Sequence, residues 1–244
     1  MAYKKDEILA GCVLLKDYTY DWDTFRMQLF DDWKVELTEE AAEFAFEFKI
    51  GEVNCACMLV PAPKPEAVSA AANNYSWPEA AAVTAEHVAH VEVGIMDCEN
   101  PIQRHVLFTM VVSSMMKQDH VIGLYQYPTV YKAVDYIEGA EVMKKDEFPV
   151  TNWVYIGLHQ DQDGLWNSYT YGMESFNKEE MEIIHTQAGL IELYQFMVQI
   201  VTYLITQNDT LEPGQRIGSD EEHSYEVTRS EAVAFDGETL KIAF

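Results

Sequence analysis

A chain of 244 residues, 48% of them hydrophobic, can bury roughly 70–75% of the surface its unfolded form would expose, so its core needs no disulfide or metal staples. Against 16 basic residues stand 41 acidic ones, a formal charge of -25. That balance excludes a free nucleic-acid binder, which draws its affinity from counterions released to Lys and Arg. The acids are scattered, as in Asp31-Asp32, Glu39-Glu40, Glu179-Glu180 and Asp220-Glu221-Glu222, which suits a soluble surface and, more sharply, complementarity to a basic protein partner.

Leu9-Ala10-Gly11-Cys12 after Lys4-Lys5 spells a lipoprotein cleavage box. A signal peptide needs about 7–15 apolar residues before its cleavage site, and Asp6-Glu7 interrupts that stretch, so residues 8–15 read as a first strand. Asp21 then caps a helix on which Trp22, Phe25, Leu29 and Trp33 recur at helical spacing. Phe44, Phe46, Phe48 and Ile50 alternate with polar or small residues, Gly51 turns the chain, and residues 53–60 complete a hairpin with one buried face. Cys55 and Cys57 share a face of that second strand and read, with Cys12 and Cys98, as reduced thiols rather than a disulfide or zinc framework. Pro61, Pro63 and Pro65 hold the next segment extended. Ser76-Trp77-Pro78-Glu79 has capping-box spacing and opens a short helix to about His87, followed by a strand over 88–95. The order β-α-β-β-α-β predicts a ferredoxin-like N-terminal half.

Asn100-Pro101 caps a buried helix to about Lys117. A strand over 120–125, a helix over 129–138 and a strand over 153–158 follow, and Asp163-Gly164 turns into a strand over 165–171. Asn177 with Glu180 predicts a capping box for a helix that bends at Gly189 and runs on to Leu204. Strands over 225–228, 232–235 and 240–242 close the chain, the last two joined at Asp236-Gly237. The fold class is α+β, with mixed, mainly antiparallel sheets and helices packed on one face. Residues 97–101 offer the joint, giving halves 1–98 and 99–244 packed as one unit. No window reaches the roughly 18 apolar residues of a membrane span, because 189–207 is interrupted by Glu192, Gln195 and Gln199, so a cytoplasmic protein that keeps off membranes is expected.

Ser168-Tyr169-Thr170-Tyr171-Gly172-Met173, Glu179-Glu180-Met181-Glu182, Val201-Thr202-Tyr203-Leu204, Leu211-Glu212-Pro213-Gly214, Ile217-Gly218 and the run from Asp236 to Ile242 stand in one order. In this the last third of the chain, within about 150–243, resembles domain-of-unknown-function family 4261 of bacterial proteins. Upstream, Pro61-Ala62-Pro63, Asn73-Asn74-Tyr75, Trp77-Pro78, His87-Val88-Ala89-His90 and Asn152-Trp153 resemble longer members. The resemblance implies a shared fold and brings no catalytic residue, ligand or cofactor.

Read from the residues, His87, His90 and Glu92 are the most ligand-like set, since two imidazoles and a carboxylate could complete a zinc or iron site. On a strand only His90 and Glu92 share a face, which favours a polar network at a strand entrance over a metal. Asn73, Asn74, Tyr75 and Trp77 could floor a small-molecule pocket with amide donors and aromatic planes, or simply satisfy loop backbone and cover the core. Trp166, Tyr169 and Tyr171 suit cross-strand packing better than a ligand stripe. Arg229 and Lys241 read as partners of nearby carboxylates, and Asp161-Gln162-Asp163-Gly164 as a turn rather than a calcium loop. No nucleophile elbow, phosphate loop, dinucleotide fingerprint or H-E-x-x-H motif is present. The balance falls on a non-enzymatic, cofactor-free protein-binding module of immunity or adaptor type, with a small-molecule binder or enzyme around Asn73, Asn74, Trp77, His87, His90 and Tyr171 as the alternative.

Overall fold

In the computed structural model, which describes residues 8–72, 74–218 and 224–244, the chain divides into two units, Met1–Glu147 and Phe148–Phe244. The α+β class stands, with one six-stranded sheet in each unit.

The first sheet comprises β1 (Leu9–Leu15), β2 (Ala45–Ile50), β3 (Val53–Val60), β4 (Ala89–Met96), β5 (Val121–Gln126) and β6 (Thr129–Lys132), in the order β2-β3-β4-β1-β5-β6. Every neighbouring pair is antiparallel. Three antiparallel steps separate β1 from β2, so these two strands run in opposite directions. A split βαβ requires them parallel. The anticipated ferredoxin-like arrangement is therefore not the one formed: α1 (Trp22–Trp33) carries the chain from β1 to the sheet edge, and β3 pairs directly on β4. Residues 97–101 join β4 to α4 (Pro101–Met115) inside this unit, because β5 and β6 add to β1.

Alternation along β1 places Val13 and Leu15 on one face and Cys12 and Leu14 on the other. The first pair joins the main core with Phe25, Leu29, Phe46, Phe108, Met115 and Tyr136, beneath α1, α4 and α5 (Ala133–Ala140). The second pair joins Ala67, Ala71, Trp77, Ala80, Ile122 and Val130, beneath α2 (Pro65–Ala71) and α3 (Ala80–Thr84). Helices thus cover both faces of this sheet, not one. The proline run accounts for the difference: Pro65 occupies the first turn of α2, where a preset φ and a missing amide donor favour the helix.

The second sheet comprises β7 (Tyr155–Gln160), β8 (Trp166–Tyr171), β9 (Met181–Thr186), β10 (Arg216–Gly218), β11 (Ser224–Glu231) and β12 (Glu238–Ile242), in the order β10-β11-β12-β9-β8-β7. Of its pairs, β12 with β9 is parallel and the others are antiparallel. Helix α7 (Leu190–Thr206) packs against β7, β8 and the short α6 (Val150–Trp153), burying Leu193, Met197, Val201 and Leu204. The helix predicted from Asn177 begins only at Leu190. Asn177 takes a left-handed φ of 59° that ends a 3-10 turn over Met173–Phe176, and Glu180 reaches back to β8 instead of capping a helix. The closing hairpin is β11 with β12, and 232–237 form its connection.

Candidate functional site

Asn74 uses its whole amide. Its Oδ1 accepts from Ser76 N (3.1 Å), Ser76 Oγ (2.9 Å) and Trp77 N (3.0 Å), and its Nδ2 donates to Val130 O (2.6 Å) and Thr129 Oγ1 (3.3 Å). The residue clamps the turn before α3 onto β6, and Trp77 is buried beneath it. Asn73 lies outside the described residues. Both ring nitrogens of His87 are engaged: Nδ1 donates to Thr84 O, and Nε2 accepts from the Lys64 backbone amide at 2.7 Å. No lone pair of His87 is left for a ligand. Tyr171 belongs to the second unit, where its ring meets Phe235 edge-on at 6.1 Å.

His90 differs. Its Nδ1 donates to Ala62 O at 2.8 Å, which leaves Nε2 as the acceptor, 3.6 Å from Glu92 Oε1. His90 and Glu92 share a face of β4, and on β1 the residue directly opposite Glu92 is Cys12. One ligand atom from each of Cys12, His90 and Glu92 lies within 4.8 Å of the other two. The Lys64 ammonium reaches the same carboxylate at 3.3 Å, and Tyr125 stands across from Cys12 on β5. Burial pushes the Cys12 thiol up to about 11; Lys64 works against that shift, while Glu92 and Glu66 add to it. Burial likewise raises Tyr125. Burial disfavours the Lys64 charge, but Cys12, Glu92 and Glu66 outweigh it and raise its pKa. Thiol, imidazole and carboxylate thus meet on the two central strands, positioned by backbone pairing, and Lys64, the residue before α2, brings its ammonium to them. Cys12 is the member the sequence reading missed; its place beside Glu92 depends on the β1–β4 register, which has no local signature.

The second unit uses its carboxylates structurally. Glu182 is fully buried and accepts from Val233 N, Ala234 N (2.8 Å) and Thr239 Oγ1 (2.8 Å), with Lys241 Nζ at 2.7 Å. Glu180 accepts from Thr170 Oγ1 at 2.6 Å and Gly172 N at 2.7 Å, and Glu179 pairs with Arg229 at 2.5 Å. Arg229 and Lys241 therefore do pair with carboxylates. A groove of about 830 Å³ runs along α7, lined by Phe196, Ile200, Tyr203, Leu211, Arg216 and Tyr225 among others.

Fold and site together define an α+β protein with, among the described residues, two sheets, a thiol–imidazole–carboxylate cluster and a groove of mixed polarity along α7. Residues 169–243 match the model of a family described as "Domain of unknown function (DUF4261)", which bears out the resemblance seen from Ser168 onward. The match spans β8 to β12 and contains all three glutamates and the groove. No curated protein and no solved structure gives a match to the chain.

Proposed function

We propose that the protein is a non-enzymatic binding module whose acidic exterior docks a basic protein partner. The distribution of charge carries this reading. Many of the scarce cations are engaged with the chain's own carboxylates: Lys16 with Glu86, Lys64 with Glu92, Lys117 and Lys144 with Asp32, Arg229 with Glu179, Lys241 with Glu182. The segment around edge strand β2 meanwhile leaves Asp31, Glu36, Glu40, Glu43, Glu47 and Glu52 exposed. Fields of this kind steer an oppositely charged partner and weaken with salt. Four buried thiols without disulfides fit a reducing cytoplasm as the place of action. A lysine-rich peptide serves as the probe. Charge reversal at Glu36, Glu40, Glu43 and Glu47 should reduce its binding at least tenfold, and the same number of reversals at Asp119, Glu138, Asp146 and Glu147 should reduce it far less. Equal losses from both sets, or binding indifferent to salt, overturn the proposal.

The groove along α7 favours a second reading, small-molecule binding by the second unit. Its lining sets Phe196, Ile200 and Leu211 beside Gln199, Asp209 and Arg216, the mixture of apolar surface and polar groups that a ligand site uses. Uptake of an apolar fluorescent dye by the full chain, abolished by Leu211→Glu with the circular dichroism unchanged, would support it; dye binding unaffected by that change would discard it.

A further inference from the structure

We propose that Cys12, His90 and Glu92 form a three-ligand site for a zinc-class divalent transition metal, which the Lys64 ammonium occupies as a stand-in cation in the metal-free protein. Thiolate and imidazole are the ligands that separate such metals from calcium and magnesium, which take oxygen. Three protein ligands with a further position open is the arrangement of a reactive rather than a purely structural zinc.

Two observations beyond the ligand types support this. The first is the His90 tautomer. Its Nδ1–H is held by Ala62 O at 2.8 Å, so Nε2 carries the lone pair and stays on the Glu92 side of the ring. Metal-ligating histidines are held in the same way, their second nitrogen donating to a carbonyl or carboxylate. His87 shows the contrast, because both its nitrogens have partners. The second is rigidity. Cys12 and Glu92 are a direct cross-strand pair and His90 lies two residues along on the same face, so all three stand on the central strands of a six-stranded sheet. A tetrahedral centre with bonds of about 2.0–2.3 Å wants ligand atoms roughly 3.5 Å apart. From the present limit of 4.8 Å the ligand atoms would have to draw in by about an ångström, which the proposal assigns to side-chain rotation on a fixed backbone.

Charge is conserved in the exchange. Metal-free, the neutral thiol leaves Glu92 and Lys64 as a compensated pair at 3.3 Å. On coordination the Cys12 S–H proton passes to solvent, the dication is balanced by thiolate and carboxylate, and Lys64 swings outward. Lys64 is therefore a competitor rather than a ligand, and removing its charge should tighten the site.

The test is titration of the full-length, chelator-treated protein with Co²⁺, followed by displacement with Zn²⁺. One equivalent should produce thiolate-to-cobalt charge-transfer absorption together with the intense visible bands of a low-coordinate site. Cys12→Ser should abolish the charge-transfer band, Cys98→Ser should leave it, and Glu92→Gln and His90→Gln should each weaken affinity at least tenfold. Lys64→Met should strengthen affinity several-fold, an outcome no misfolded variant can mimic. A folded wild-type protein without the band, a band that survives Cys12→Ser, or a Lys64→Met affinity at or below wild type overturns the proposal.

Discussion

Glu180 and Glu182 stand two residues apart, and their carboxyl groups are displaced in opposite directions. Burial alone would raise both. At Glu180 it prevails over the donors Thr170, Gly172 and Glu174, and the pKa is raised. At Glu182 burial is outweighed by Lys241, Ala234, Thr239 and Val233, and the pKa is lowered below the ordinary 4.5. The folded-state value of Glu182 lies below the unfolded one, so its contribution to stability is complete above about pH 4.5 and is lost as pH falls through the folded value. For Glu180 the sign reverses: its contribution is present in acid and is lost as pH rises through its raised value. Removing the cation from Glu182 leaves a buried charge without its counter-ion. Lys241→Met should therefore lower unfolding stability by about 3–5 kcal/mol, measured by urea denaturation at pH 7. A change under 1 kcal/mol would show that the backbone donors alone hold the carboxylate. In Glu182→Gln the acid-side loss of stability should flatten, measured by the same denaturation series taken from pH 7 to pH 3.

At the scale of elements, what was legible in the sequence had a local cause. Asp21 was readable as the cap of α1, and its carboxylate does accept from Thr24 N at 2.9 Å and Thr24 Oγ1 at 2.7 Å. Asp21→Ala should cost about 1 kcal/mol, seen as a lowered denaturation midpoint with an unchanged slope. Asn100 caps α4 through Gln103 N at 3.0 Å, and Gly51, at a φ of 62°, turns the β2–β3 hairpin as its position implied. What stayed hidden was settled by distant partners. Asn177 and Glu180 have the spacing of a capping box, but Thr170 on β8 and Gly172 just after it claim the Glu180 carboxylate, and β9 forms where the spacing predicts a helix. Likewise His90 and Glu92 were legible as neighbours on one strand face, whereas Cys12 reached them only through a pairing across most of the first unit. Close approach is equally invisible beforehand. Tyr169 lies over Gly157, its cross-strand partner, so near that a Cβ there would sit 2.2 Å from the ring. Gly157→Ala should displace the ring and cost about 1–3 kcal/mol, as overpacking does, measured by urea denaturation; an unperturbed stability would mean the ring is free to leave.

Across the whole molecule, a formal charge of -25 works against the folded state through self-repulsion. Long-range repulsion and short-range ion pairs respond differently to salt. The Debye length falls from about 30 Å at 0.01 M to about 10 Å at 0.1 M, which removes repulsion between exposed acids spread around the β2 edge. Pairs such as Lys117 with Asp32 at 2.6 Å are in contact and partly shielded from solvent, so screening weakens them less. The melting temperature should therefore rise steeply between 0.01 and 0.2 M sodium chloride and then level off. A rise that continues in proportion to concentration would instead signal strengthened apolar burial, the general effect of excluded salts. The four reversals at Glu36, Glu40, Glu43 and Glu47 discriminate further. They relieve local repulsion, so the variant should melt higher than wild type at low salt and the two curves should converge as salt is added. If that variant melts lower at every ionic strength, the acids around β2 hold the fold through contacts of their own, and the surface is structural before it is a docking face.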